Sequence, residues 1–250
     1  MFHPIIHFLR LLVMALDFTI VCSFTFICAC LPRWINRRFM PALFSHWCWS
    51  FVRFLGVECH IHQKFKPPLP DHFLLVSNHP SGLDILLLNA IFRVRPLAKE
   101  EIKSWWILGR IARSVDTVFV KREERESRHA AKQGMVDAIQ SGANLLIYPE
   151  GGCFGKHLRP FKYGAFEISM TTGIPILPVY MQYEAENDIE WGEYGLIHHI
   201  YNILRACNKH AHCYIFDPVQ PQGFSDAQSY SRHLHEWYEK WEARYRLPGH

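Results

Sequence analysis

From residue 70 onward, short apolar runs alternate with stretches of helical texture, and this alternation limits the fold more than any other feature of the chain. The order is HFLLVSN then ILLLNAIF, TVFVKR then a polar-faced stretch through Met135 and Ile139, NLLIYPE then FKYGAFEISM, and then IPILPVY. Brief apolar runs suit strands buried on both faces, and the intervening segments suit helices that cover them. The expectation is an α/β fold in which helices cover a largely buried sheet. A helix over Leu196 to Ala206, the strand HCYIFDPV and a closing Trp- and Tyr-rich packing helix over Asp226 to Leu247 complete the pattern.

Upstream, residues Leu11 to Leu31 (LLVMALDFTIVCSFTFICACL) are almost unbroken apolar and match the length of about 20 residues that a hydrocarbon core demands. Asp17 opposes insertion by roughly 2.5 to 3.5 kcal/mol, and the many Leu, Ile, Val and Phe residues offset it at about 0.3 to 0.6 each. Arg33, Arg37 and Arg38 follow at once, which predicts that the rest of the chain faces the cytoplasm. Phe39 to Leu55 reads equally well as an interfacial helix or as a core helix. A cleaved signal peptide is disfavoured, because no Lys or Arg precedes Arg10. The chain is expected to divide into a membrane-associated helical segment at 1–57 and one catalytic unit at 58–250.

The formal charge of +4 is too small to argue for nucleic acid and agrees with an anionic membrane surface or phosphate-bearing substrates. Eight scattered cysteines form no C-x-x-C pair and no secreted-domain framework, which predicts reduced thiols. The run His210-Ala-His212-Cys213 lacks a second ligand pair at a matching spacing, so neither a metal nor a cofactor is expected.

The chemistry concentrates in Asn78-His79-Pro80-Ser81-Gly82-Leu83-Asp84, between a strand and an apolar helix. The spacing lets Asp84 fold back on the imidazole of His79, fixing its tautomer while the other ring nitrogen takes a proton from an attacking hydroxyl. The same residues also form a capping-box pattern, Ser81 with an acid three positions on, and the two readings are compatible. Further along, Tyr148-Pro149-Glu150-Gly151-Gly152 ends a strand. There the glycines permit a tight turn whose N–H groups could receive a phosphate or glycerol oxygen, and Glu150 could accept from substrate hydroxyls.

Taken in order, NHPSGLD, LAKEEI with DTVFVKRE, YPEGG with RPFKYGAF, and IPILPVY resemble the four motif blocks of the lysophosphatidate and glycerophosphate acyltransferase family, over Leu74 to about Tyr180. The resemblance implies that family's α/β fold, a mixed sheet covered by helices, and makes His79 and Asp84 the catalytic His-x4-Asp pair. It places Arg122 where a basic residue binds the acceptor's phosphate, with Lys99 in the same block. Asn78, Glu150, Gly151 and Gly152 fall in its substrate-binding stretches, and Pro178 in a mostly structural block. The family commonly continues Glu-Gly with Thr and often Arg, where this chain has Gly152 and Cys153. Arg159 and Lys162 are the candidates to supply the missing charge.

The reaction so implied takes a fatty acyl chain from acyl-coenzyme A or acyl carrier protein and places it on the hydroxyl of a lysophospholipid, 1-acyl-sn-glycerol 3-phosphate first among them. A lyso-amino-acid lipid as acceptor, a lipid hydrolase or transacylase, and a non-catalytic membrane-binding protein are the alternatives. There is no G-x-S-x-G elbow, and nothing in the sequence marks Cys153 as an activated nucleophile.

Overall fold

The computed structural model describes residues 3–121, 124–155, 157–189, 191–192 and 195–245. Three helices come first: α1 (His3–Ala29), the short α2 (Arg33–Asn36) and α3 (Met40–Phe54). Within α1, Leu9–Ala29 is long and apolar enough to cross a membrane by length and composition. One side of α1 packs on α3 and on a later helix through Phe18, Val21, Cys22 and Cys28. The other side leaves Leu12, Val13, Leu16, Ile20, Phe24 and Ile27 exposed. Asp17 does not stand alone on this helix. Its Oδ2 accepts a 2.6 Å hydrogen bond from the Ser50 hydroxyl and lies 3.9 Å from an Arg53 nitrogen, both on α3.

Between the two readings of α3, the core helix prevails: Met40, Trp47, Cys48 and Val52 are buried. The Ser45 hydroxyl lies 2.9 and 3.0 Å from the carbonyls of Asn89 and Ala90, near the end of the helix Leu83–Phe92. Val52, Leu55 and Val57 share a cluster with Leu75 and Leu87, so packing runs without a break across residue 57.

Next come β1 (Glu58–Gln63), β2 (Leu74–Ser77), α4 (Leu83–Phe92), β3 (Arg95–Lys99), α5 (Trp106–Ser114), β4 (Val118–Val120), α6 (Arg125–Gln140) and β5 (Leu145–Ile147). The chain continues through α7 (Gly164–Thr172), β6 (Ile176–Tyr183), the short α8 (Glu186–Ile189), α9 (Leu196–Arg205), β7 (His210–Ile215) and α10 (Ala227–Tyr245). The seven strands form one sheet in the order β1-β7-β6-β2-β5-β3-β4. Every neighbouring pair is parallel except β6 with β7, so the sheet is mixed.

Alternate residues of the central strands feed opposite layers, as the pleat requires. Leu75, Leu177, Val179 and Met181 meet α3, α4 and α9 on one face, through Val52, Leu87, Leu88 and Ile203. Leu74, Val76, Leu145 and Ile176 meet α6, α7 and α10 on the other, through Met135, Ile139, Phe166 and Leu234. The fully buried Tyr238 of α10 places its hydroxyl between β2 and β6, 2.9 Å from the Val76 carbonyl and 3.1 Å from the Val179 N–H. α10 is thereby the packing helix that its sequence predicts.

Candidate active site

The strand β2 ends at Ser77, and the chain then turns through Asn78 to Gly82 into α4, which places His79 and Asp84 at the carboxyl end of the sheet. Nδ1 of His79 lies 2.9 Å from Oδ2 of Asp84, whose side chain is fully buried. The same Oδ2 accepts from the Ser81 N–H at 2.9 Å, while Oδ1 accepts from the hydroxyl of Tyr183 at the end of β6. Asp84 therefore caps its own turn and holds the imidazole at once. Burial, and after it the charge of Asp84, pushes the Tyr183 phenol well up, so this group stays a donor.

Nδ1 is thus committed to the carboxylate. One face of the His79 ring is covered by Tyr148, stacked at 3.8 Å between centroids and 11° between planes. Nε2 is left as the nitrogen able to take a proton from a substrate.

Two further groups fix the turn. The Ser81 hydroxyl donates to the Ile189 carbonyl at 2.6 Å and accepts from the Leu83 N–H at 3.2 Å. With that proton committed, Nε2 of His199 is the donor in its 3.2 Å contact with Ser81 Oγ. Burial, then the neighbouring His79, lowers His199 to about 4, so it remains neutral at ordinary pH. Gly82 is required by close approach, because a Cβ there would sit 2.7 Å from the Trp191 ring.

Glu150 follows β5 and is buried. Its Oε1 accepts from the His79 N–H and its Oε2 from the Arg159 N–H, each at 2.9 Å. Burial pushes this carboxyl up to about 7 against the opposing effect of the two N–H donors. Both oxygens thus brace the loops, where the sequence suggested contact with substrate hydroxyls. The expectation for Gly151 changes too, since its N–H donates to the Tyr148 carbonyl at 3.1 Å within the turn. Gly151 has φ +79°, and a Cβ would meet the Lys162 side chain at 2.5 Å, so Lys162 lies directly over this glycine. A Cβ on Gly152 would in turn sit 2.6 Å from the Phe154 ring. The Arg159 guanidinium stacks 5.2 Å over the same ring.

The structure therefore gathers Glu150, Gly151, Gly152, Arg159 and Lys162 in one loop beside His79. Asn78 takes a different part. Its side-chain oxygen accepts from the Met181 N–H at 2.7 Å and its amide nitrogen donates to the Met181 carbonyl at 2.8 Å, so both polar atoms tie β2 to β6. Lys99 is exposed at the carboxyl end of β3, opposite Val120 of β4. Arg122 lies outside the described residues. Cys153 is no thiolate, because burial and then Asp84 push its thiol far above the ordinary range.

Sequence reasoning missed Tyr183, His199 and a basic cleft. That cleft, about 490 Å³, lies where α1 ends against α5, and its charged lining is Lys103, Arg110 and Arg113 with one acid, Asp116, beside Ala29 and Leu31. Arg110 also lies 6.0 Å from the Phe26 ring of α1.

Residues 56–182 match the family model described as Acyltransferase. A 1-acyl-sn-glycerol-3-phosphate acyltransferase of Neisseria gonorrhoeae is 33% identical over 123 residues, 48% of this chain and 48% of that protein. Thus the chain spans about half the length of that relative and of its Neisseria meningitidis counterpart. A lyso-ornithine lipid O-acyltransferase of Rhodobacter capsulatus is 30% identical over 206 residues, 78% of this chain and 72% of that protein. The crystal structure of a 1-acyl-sn-glycerophosphate acyltransferase from Thermotoga maritima superimposes with a TM-score of 0.64, at 23% identity over 96% of this chain and 99% of that one, which establishes a shared fold.

Proposed function

Since the chain belongs to the acyltransferase family, we propose that it moves a fatty acyl chain from an acyl thioester to the hydroxyl of a lysolipid. The observation that carries this reading is the buried His79–Asp84 pair, with Asp84 held by Ser81 and Tyr183 and Nε2 of His79 left to accept a proton. Nε2 takes the proton of the acceptor hydroxyl as its oxygen attacks the thioester carbonyl carbon. The tetrahedral intermediate then collapses, the carbon–sulfur bond breaks, and the departing thiolate recovers the proton from the imidazolium. Asp84 stabilises that imidazolium between the two steps. The donor is acyl-coenzyme A or acyl carrier protein.

For the acceptor, 1-acyl-sn-glycerol 3-phosphate, giving phosphatidate, is the first reading. Arg159 and Lys162 beside the Glu150 turn support it, as do Lys103 and Arg110 in the cleft, all suited to an anionic headgroup. One observation favours a second reading, a lyso-ornithine lipid: the match to the enzymes so named runs over 62% to 78% of this chain in four organisms. Supporting a membrane setting, α1 has the length and bare apolar face of a spanning helix. Arg33, Arg37 and Arg38 after it favour a catalytic unit on the cytoplasmic side.

The test incubates membranes carrying the wild type or His79→Ala with labelled acyl-coenzyme A or acyl carrier protein, offering lysophosphatidate, lyso-ornithine lipid or no acceptor. The expected outcome is a labelled diacyl product from the wild type and its loss, by at least about 10²-fold, in the variant. Labelled free fatty acid without acceptor dependence would point to the hydrolase instead, and product formed equally by both proteins would remove His79 from the mechanism.

A further inference from the structure

At the edge of the sheet, β1 runs beside β7 in a register that pairs Glu58 with His210, His60 with His212 and His62 with Tyr214. Alternation puts Ala211, Cys213 and Ile215 of β7 in the core, so His210, His212 and Tyr214 face the other way. Glu58, His60 and His62 share that outward face, and four imidazoles with a carboxylate at one end line up across two strands. His60 and His62 are the second ligand pair that His210 and His212 lack along the chain. They arrive 150 residues earlier in sequence, through strand pairing.

The distances among the donor atoms are those of a chelating set. Nε2 of His60 lies 3.1 Å from Nδ1 of His210, and Nδ1 of His210 lies 3.7 Å from Oε2 of Glu58. One ligand atom from each of the three residues falls within 4.8 Å of the others. Bonds of about 2.0 to 2.2 Å at tetrahedral angles place ligand atoms roughly 3.3 to 3.6 Å apart, so small rotations of exposed side chains close the set on one ion.

We propose that Glu58, His60 and His210 form a site for a divalent first-row transition cation of the Zn²⁺ class, with water completing the coordination. Two imidazoles and a carboxylate suit a borderline cation better than Mg²⁺ or Ca²⁺, which take oxygen sets.

The imidazoles beside the trio form a row of their own contacts. His212, stacked 5.2 Å from His60, has Nε2 2.9 Å from Oε1 of Glu184, and Glu184 in turn accepts from the Asn208 amide at 2.7 Å. Nδ1 of the same ring lies 2.9 Å from Nε2 of His62. Bound cation would tie the edge strand β1 to β7 by side chains as well as by backbone.

The test uses untagged full-length protein in detergent, stripped with chelator and titrated with Zn²⁺ by calorimetry and with Co²⁺ by its visible absorption. The expected result is saturable binding of one cation per chain, with a rise in the thermal midpoint on Zn²⁺ addition. His60→Gln and His210→Gln each weaken binding roughly tenfold or more, Glu58→Gln weakens it less, and His62→Gln retains it. All of these positions are on the outer face, and circular dichroism of the stripped variants checks that each is folded. Glu58→Gln, at an exposed position, keeps the test open if a histidine variant misfolds. Absence of saturable binding, or binding that survives both His60→Gln and His210→Gln, would overturn the proposal. Loss in His62→Gln with retention in His60→Gln would equally overturn the assignment to this trio.

Discussion

At the scale of single residues, Asp84 is the best-held group of the site, and Tyr183 is the partner that most clearly acts through it. Tyr183→Phe removes one hydrogen bond to a buried carboxylate, a loss of about 1.5 to 3 kcal/mol, so kcat should fall roughly 10- to 100-fold with little change in KM. An unchanged kcat would show that Ser81 and His79 hold Asp84 without it. Glu150 gives a prediction in pH. Its carboxyl is pushed from 4.5 up to about 7 in the folded chain, so between these values the folded state holds a proton that the unfolded state has released. Stability therefore falls as pH rises through that window, by on the order of 3 kcal/mol from this group, and the loss is complete above it. Glu150→Gln does not titrate, and its unfolding free energy should lack this component; identical pH profiles for variant and wild type would refute the assignment. The contact of His79 with Asp84 is legible in the sequence because both residues lie within one turn. Tyr183 lies 99 residues beyond Asp84 in an apolar strand, where nothing marks it. Asn78 misleads for a related reason, since its amide spans to Met181, and sequence shows no such pairing.

At the scale of elements, α1 carries a claim that its surface makes testable. Leu16 and Ile20 stand 59% exposed on the face turned away from α3, where water would find a contiguous apolar stripe. Lys at either position costs roughly 2.5 to 3.5 kcal/mol in a bilayer and little in water, so Leu16→Lys/Ile20→Lys should move the protein out of the floating membrane fraction. Flotation identical to the wild type would mean that α1 does not lie in lipid along this face. The elements that sequence revealed share one property, a patterned apolar surface: α1 by its length, β2, β5 and β6 by short runs buried on both faces, and α10 by its spacing. β1 shows the limit. Its six residues, Glu-Cys-His-Ile-His-Gln, alternate, yet histidines fill one side and Ile61 is exposed on the other, so no hydrophobic period announces a strand. Its pairing with β7 follows from tertiary structure, and with it the histidine group that β7 alone does not suggest. At the boundary expected at residue 57, Val52 and Leu55 pack with the sheet on the far side of it, a contact that composition does not show.

At the scale of the whole molecule, the parallel strands β2, β5, β3 and β4 put their carboxyl ends together, so His79, Glu150 and Lys99 emerge on one edge of the sheet. That edge is where open α/β sheets place their ligands. The cleft between the end of α1 and α5 adds a constraint of a different kind. If α1 lies in the bilayer, Ala29 and Leu31 mark its boundary, and Lys103 and Arg110 stand at the level of lipid headgroups. A lysolipid with an anionic headgroup then meets these cations while its chain remains in the membrane. Lys103 is linked to Glu100 at 3.2 Å and Arg110 leans on Phe26 of α1, so both are held near the boundary even as they line the cleft. Lys103→Gln/Arg110→Gln should therefore raise KM for an anionic acceptor, by roughly tenfold for each charged hydrogen bond lost, and leave kcat and the KM for the acyl thioester near their wild-type values. Steady-state kinetics in mixed micelles at fixed salt separate the outcomes. A fall in kcat with KM unchanged would place these cations at the reacting centre. A rise in the thioester KM would make the cleft the donor's site, because the phosphates of coenzyme A offer the same charge from the aqueous side.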